Sequence, residues 1–301
     1  MGNSVVSFFM FPARPSSYSA DQSPVRERLL FIPPVINDDS FRWLDSPHGA
    51  YFGCVTTGQG KHIPVLWIAV EAAVTTVLYF HGNSCDLGDM LEELQWLSKQ
   101  SNVNVMAMEF PGYGVAQSDG TTPGELDHWA RCCYFWLVKR GYHAHSIVLY
   151  GRSIGTGPAA KLACWCRQKG PKGYNKFGGL ILVSPYKSIR SLAKEYAGLA
   201  QLLVHRHLWN TELHLRQIKD CTKTLIIHGV NDEVIPVAHS EALHAAMVGG
   251  DCTLELFPDR GHNDLAYVAM EPIQQFLGRV RTEAKATKMP ETVRDLRPKA
   301  L

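Results

Sequence analysis

Short unbroken apolar runs at residues 75–80, 103–108, 147–150, 180–183, 224–227 and 252–257 alternate with stretches whose apolar positions recur every three or four residues. Runs of this kind suit strands covered on both faces of a sheet. Between the first two, Leu87, Met90, Leu91, Leu94 and Leu97 share one helical face, with Asp86 as a plausible cap. Leu126, Trp129, Ala130, Cys133 and Leu137 form a second such face. That helix would open at Thr122-Pro123-Gly124-Glu125, a capping-box pattern with Pro at the first helical position, and close at Gly141. Ala159, Ala160, Leu162 and Ala163 favour a third helix, and residues 236–248 a fourth. Earlier, residues 51–57 and 63–70 flank Gly58-Gln59-Gly60-Lys61 as a hairpin. The alternation predicts an α/β fold, a doubly wound and mostly parallel sheet of about eight strands with helices on both faces.

The core is expected over residues 41–283. Residues 1–40 are an N-terminal extension, rich in Pro, Ser and charge over 13–40, and residues 284–301 a charged, solvated tail. Residues 186–220 lie between two strands on the side where a site would form, and are expected to make a short lid insertion. Its apolar stripe, Leu192, Tyr196, Leu199, Leu202 and Leu203, suits core packing better than a lipid slot.

Composition narrows the partners. The chain has 301 residues, is 46% apolar and 19% charged, and balances 30 basic against 28 acidic side chains for a net charge of +2. No basic run marks it for nucleic acid. The eight cysteines are scattered without a C-x-x-C pair, as expected of buried thiols in a reducing compartment. His143/His145 and His205/His207 lack carboxylates or cysteines at ligand spacing, so neither a metal nor a cofactor is expected.

Residues 1–12 hold a short apolar patch that cannot span a bilayer, with no basic residue ahead of it as a signal peptide requires. Gly2 is a candidate for myristoylation, although Val6 stands where Ser or Thr is usual. Phe8, Phe9 and Phe11 would supply the second anchoring element that one acyl chain needs. The expectation is a cytoplasmic protein with peripheral contact on the cytosolic membrane face. In the competing reading these residues fold onto the body.

Gly151-Arg152-Ser153-Ile154-Gly155 sits between an apolar β-prone run and a helix-favouring one. In that setting G-x-S-x-G is a strained turn that exposes a serine hydroxyl above a sheet. Two other readings compete: a plain tight turn, and a dinucleotide-binding turn, because Gly151, Gly155 and Gly157 have similar spacing. Against the second, the stretch lies mid-chain and no Tyr-x-x-x-Lys occurs anywhere. A serine nucleophile needs a base and an acid to orient it. Asp232 and His262 each follow a predicted strand, in the Ser, acid, His order of α/β hydrolases. Glu233 and Asp264 are weaker candidates for the acid. For the oxyanion, Ile154 would donate its backbone N–H and Asn83 would supply the second group, with Ser84 next in line. Ser84, Tyr113 and Tyr186 are candidate substrate contacts, and His81 and His228 are read as structural.

Several motifs now stand in order over about residues 75–265. They are His81-Gly82-Asn83 with Asp86-Leu87-Gly88, Gly112-Tyr113-Gly114, Leu149 through Thr156, Ser184-Pro185, Ile226-Ile227-His228-Gly229 with Asp232-Glu233-Val234-Ile235, and Gly261-His262-Asn263-Asp264. Together they resemble the α/β-hydrolase-domain serine hydrolases that include protein depalmitoylases and serine aminopeptidase-like enzymes. The resemblance implies a Ser153–His262–Asp232 triad and cleavage of acyl esters or thioesters, some of them on palmitoylated proteins at membranes. The chain departs from the depalmitoylases in lacking an N-terminal cysteine cluster, its first cysteine being Cys54, and Glu109 stands where Asp is frequent. The expected function is a serine hydrolase acting on an acyl ester or thioester, an acylated protein among the candidate substrates. A peptidase on the same fold and a catalytically inactive binding module are the alternatives.

Overall fold

Nine strands hydrogen-bond into one sheet in the computed structural model, which describes residues 16–17, 29–32, 50–56, 62–116, 122–170, 176–197 and 208–286. They are β1 (Leu29–Ile32), β2 (Ala50–Thr56), β3 (His62–Ile68), β4 (Thr76–Phe80), β5 (Asn104–Met108), β6 (Ile147–Arg152), β7 (Gly179–Val183), β8 (Thr224–Gly229) and β9 (Cys252–Phe257). Seven α-helices are described: α1 (Leu91–Ser101), α2 (Pro123–Lys139), α3 (Thr156–Lys169), α4 (Ile189–Ala197), α5 (Thr211–Ile218), α6 (Ala238–Ala246) and α7 (Met270–Ala286). The strand order is β1-β2-β3-β5-β4-β6-β7-β8-β9. β3 runs antiparallel to both β2 and β5, and every other neighbouring pair is parallel.

The order explains where a site can form. The chain leaves β4 toward β5 on one side, then returns past it to β6 on the other. Crossovers therefore diverge at β4 and β6, opening a crevice beyond the carboxyl ends of those two strands. Alternation along the central strands feeds two cores. In β4, Leu78 and Phe80 pack with α2, α3 and α5 on one face, whereas Val77 and Tyr79 pack with α1 and α7 on the other. Strands buried on both faces leave no polar side, which is why these runs read as continuous apolar stretches.

Several boundaries differ from expectation for local reasons. Residues 87–90 form turns, so α1 starts at Leu91 and Asp86 does not cap it. Its Oδ1 instead accepts the Gly88 and Asp89 N–H groups, closing the turn, and its Oδ2 accepts the backbone N–H of Ser17 at 2.6 Å. Thr122 does cap α2, accepting from the Glu125 N–H at 3.2 Å with Pro123 opening the helix. The ninth strand, β1, falls within the stretch read as an extension and adds an edge beside β2. α7 is not among the expected helices, yet Ile273, Phe276, Leu277, Val280 and Ala284 are its buried stripe at helical spacing. None of the described helices is long and apolar enough to cross a membrane.

Candidate active site

Ser153 is the first residue of a single 3₁₀ turn, Ser153–Gly155, that joins β6 directly to α3. Its φ of +51° is one that a side-chain-bearing residue rarely adopts. The tightness around it requires glycine on both sides. A Cβ on Gly151 would lie 2.5 Å from the Gly155 carbonyl oxygen, and one on Gly155 would lie 2.6 Å from the His81 carbonyl oxygen. Thr156 Oγ1 fastens the turn by donating to the Ser153 carbonyl at 2.6 Å. Packing also accounts for Gly157, because a Cβ there would sit 2.7 Å from Trp209 Cβ. The glycine spacing that resembled a dinucleotide turn thus has a steric origin.

Asp232 and His262 reach Ser153 from the loops after β8 and β9. His262 Nε2 lies 2.9 Å from Ser153 Oγ, and His262 Nδ1 lies 2.8 Å from Asp232 Oδ2. All three are nearly buried, with 8–9% exposure. Asp232 Oδ1 accepts the backbone N–H groups of Val234 and Ile235 at 2.8 and 2.7 Å. Burial alone would raise this carboxyl, but hydrogen bonds from His228, His262 and the Ile235 N–H outweigh it and hold Asp232 well below the usual carboxylate range. A charged Asp232 requires a proton on His262 Nδ1, which leaves Nε2 as the acceptor for the Ser153 hydroxyl. The arrangement can move a proton off Ser153.

The other acid candidates have different work. Glu233 Oε2 accepts the His262 backbone N–H at 3.3 Å, and Asp264 Oδ1 accepts the Gly261 N–H at 2.7 Å, so both shape the loop that carries the imidazole. Arg152, beside Ser153, donates from Nη2 to Asn263 Oδ1 and pairs through Nη1 with Glu93, each at 3.3 Å. It links the serine turn, α1 and the histidine loop. Nothing in the local sequence pattern marked Arg152 for that role, because its partners are 59 and 111 residues away.

The oxyanion candidates flank the serine. Ile154 is the second residue of the turn, where backbone N–H groups have no earlier helical carbonyl to meet. Gly82 approaches so closely that a Cβ on it would stand 3.9 Å from Ser153 Cβ, which brings the following Asn83 to the same crevice. Asn83 is held by Tyr113, whose hydroxyl donates to Asn83 Oδ1 at 2.6 Å. Burial pushes the Tyr113 phenol up, so it remains a donor. Behind this loop, fully buried His81 stacks on Phe110 at 3.8 Å and places Nε2 3.1 Å from Glu109 Oε1. Glu109 also accepts the Leu87 N–H, bracing the segment after β4.

Two of the expected substrate contacts have little or no exposed surface. Tyr113 is only 2% exposed and Tyr186 is fully buried, donating to the Ile154 carbonyl at 3.2 Å. Each supports the site from behind, because its ring fills core volume. Ser84, at φ +59°, remains partly exposed in the loop. In the insertion, Leu192 packs on the core while Tyr196 stays exposed and donates to the Val234 carbonyl. Gly2, Leu199, Leu202 and Leu203 lie outside the described residues.

No family model matches the chain. Among curated proteins it is 30% identical over 249 residues to α/β hydrolase domain-containing protein 17C of Xenopus tropicalis, covering 79% of this chain and 69% of that protein. The chain belongs to this α/β-hydrolase-domain family. It is also 28% identical to α/β hydrolase domain-containing protein 17B of Homo sapiens over 237 residues, 73% of each chain. Solved α/β hydrolases share its fold. One from Vibrio vulnificus superposes with a TM-score of 0.64 at 19% identity, covering 76% of this chain and 81% of that one. A Pyrococcus furiosus esterase gives 0.60 at 18% identity, covering 83% and 98%. The α/β-hydrolase family is therefore reached from fold and sequence alike, and the protein is a hydrolase by kinship.

Proposed function

We propose that this hydrolase cleaves acyl esters or thioesters through an acyl-enzyme on Ser153. The observation that carries the reading is the unbroken chain from Ser153 Oγ to His262 Nε2 and from His262 Nδ1 to Asp232 Oδ2. His262 takes the serine proton as Oγ attacks the acyl carbonyl carbon. The backbone N–H of Ile154 and the Asn83 loop receive the charge that develops on oxygen. His262 then gives its proton to the departing alcohol or thiol. Water repeats the sequence to release the acid and restore Ser153.

The substrate class we favour is an acyl chain carried by a protein or a lipid. Exposed apolar side chains beside the Asp232 loop, Val230 and Val234 at 40% and Tyr196 at 61%, support that choice. They offer a modest apolar surface on which a short or medium chain would lie and a longer one would remain partly uncovered. Membrane contact through an acylated Gly2 belongs to the same proposal, and the mass of the native N-terminus tests it.

An activity panel tests the function. Esters and thioesters of graded chain length are supplied to the wild type and to Ser153→Ala, beside a peptide series. Ester or thioester turnover abolished in the variant supports the reading. Peptide turnover that exceeds both would replace it with a peptidase, and retained ester turnover in Ser153→Ala would remove the serine mechanism.

A further inference from the structure

Asp232 holds a second imidazole. His228, the penultimate residue of β8, is fully buried and places Nε2 3.1 Å from Asp232 Oδ2, the oxygen that also meets His262 Nδ1 at 2.8 Å. The same Nε2 lies 2.8 Å from the Ile235 carbonyl oxygen. Two acceptors at one nitrogen require it to carry a proton. On the other side of the ring, Ser240 Oγ from α6 lies 2.5 Å from Nδ1, and with the neutral ring it donates there. Ser240 is itself fully buried, so this bond is shielded from water.

Both carboxylate oxygens are thereby engaged. Oδ1 takes two backbone N–H groups, while Oδ2 takes the His262 Nδ1–H and lies 3.1 Å from His228 Nε2, whose proton it shares with the Ile235 carbonyl. A carboxylate held this way cannot rotate without stranding a buried donor. Turning about the Cβ–Cγ bond moves both oxygens together, away from the backbone amides at Oδ1 and from the imidazoles at Oδ2. His228 adds a restraint against that turn, on the oxygen that faces the base.

We propose that His228 is a positioning residue: by sharing Asp232 Oδ2 with His262 it fixes the plane of the carboxylate, and so the tautomer and orientation of the imidazole facing Ser153. The assignment rests on the serine-hydrolase reading above. His228 touches no reacting atom and acts through Asp232, while Ser240 sets its tautomer. A residue needed only to fill space would be replaceable by any ring of similar volume. A positioning donor is replaceable only by a group that presents an N–H at the Nε2 position.

Three variants separate these cases, each checked for the wild-type thermal midpoint and circular dichroism. His228→Phe keeps the ring volume without the donor, and is expected to lower kcat about 10- to 100-fold with KM within about twofold. His228→Gln extends an amide N–H to the Nε2 position, and is expected to recover most of that loss. Ser240→Ala releases the Nδ1 side without altering the core's size, and is expected to lower kcat a few-fold at constant KM. Should His228→Phe not fold, Ser240→Ala and His228→Gln carry the test. Wild-type kcat in folded His228→Phe or in Ser240→Ala, or a His228→Gln enzyme no better than His228→Phe, would overturn the assignment. Ser153→Ala run alongside keeps the two claims apart, since turnover surviving there defeats the serine reading whatever His228 does.

Discussion

Replacing Asp232 with Asn changes one atom type and tests the logic of the whole site. Asp232 accepts N–H groups from Val234 and Ile235 on Oδ1 and from His262 on Oδ2, which also lies 3.1 Å from His228 Nε2. An amide has one oxygen to offer, so one pair of donors must face an NH₂ group. Backbone amides cannot move their protons and the His228 Nε2 proton is kept by the Ile235 carbonyl, whereas His262 can move its own. The Asn oxygen therefore stays with Val234 and Ile235, and its NH₂ turns toward the two rings. His262 then accepts at Nδ1, which shifts its own proton to Nε2, where it points at Ser153 Oγ and cannot remove the hydroxyl proton. A wrong tautomer of this kind costs about 10⁴ in kcat, or roughly 5.5 kcal/mol of barrier. KM should change little, because the oxyanion loop and groove are untouched. The assay is steady-state hydrolysis of a chromogenic acyl ester by the wild type, Asp232→Asn, Ser153→Ala and the double variant. Serine and acid act as a unit, so the double variant should be no slower than Ser153→Ala. An Asp232→Asn enzyme within tenfold of wild-type kcat would refute the tautomer argument.

Further outcomes follow from the surrounding structure. Because the folded pKa of Asp232 is depressed, its contribution to stability is present above the unfolded value of about 3.9 and is lost as pH falls toward the folded one. Denaturant unfolding below about pH 4 should therefore be steeper with pH in the wild type than in Asp232→Asn, and parallel curves would contradict this. His214 behaves with a different window. Burial and Lys161 lower it to about 4, and both ring nitrogens are buried without hydrogen-bond partners among the described residues. The unfolded chain takes that proton below about 6.5, so stability should fall by about 3 kcal/mol between pH 6.5 and 4, a slope that His214→Leu removes. Tyr113→Phe frees Asn83 and should lower kcat about 3- to 10-fold in ester hydrolysis, with the fold intact by circular dichroism. Gly155→Ala drives a Cβ against the Phe80 and His81 carbonyls, and should lose about 1–3 kcal/mol or more in urea unfolding.

The parts that were legible in the sequence are those governed by local chemistry. Strand runs buried on both faces stand out at β4 to β8 because no polar alternation interrupts them. Thr122-Pro123 marks the start of α2 because the cap is built from neighbours. Ser153 was recognisable because a turn this tight needs glycine on each side. α7 is legible too, since its stripe from Ile273 to Ala284 keeps helical spacing, although it runs straight into the charged tail. What the sequence hides is contact at a distance. Asp86 looks like a cap until Ser17 and the turn at 87–90 claim its oxygens. Tyr186 stands in the sequence as a candidate substrate contact, and only the fold shows that the core covers its ring. His228 lies four residues from Asp232, yet only the bend after β8 brings its ring under the carboxylate.

The most direct measurement of the central claim is the mass of the enzyme caught in mid-reaction. Mixed with a slowly released acyl ester and quenched in acid, the wild type should gain one acyl group, and peptide mapping should locate it on Ser153. An adduct on another side chain, or one that persists unchanged in Ser153→Ala, would contradict the account.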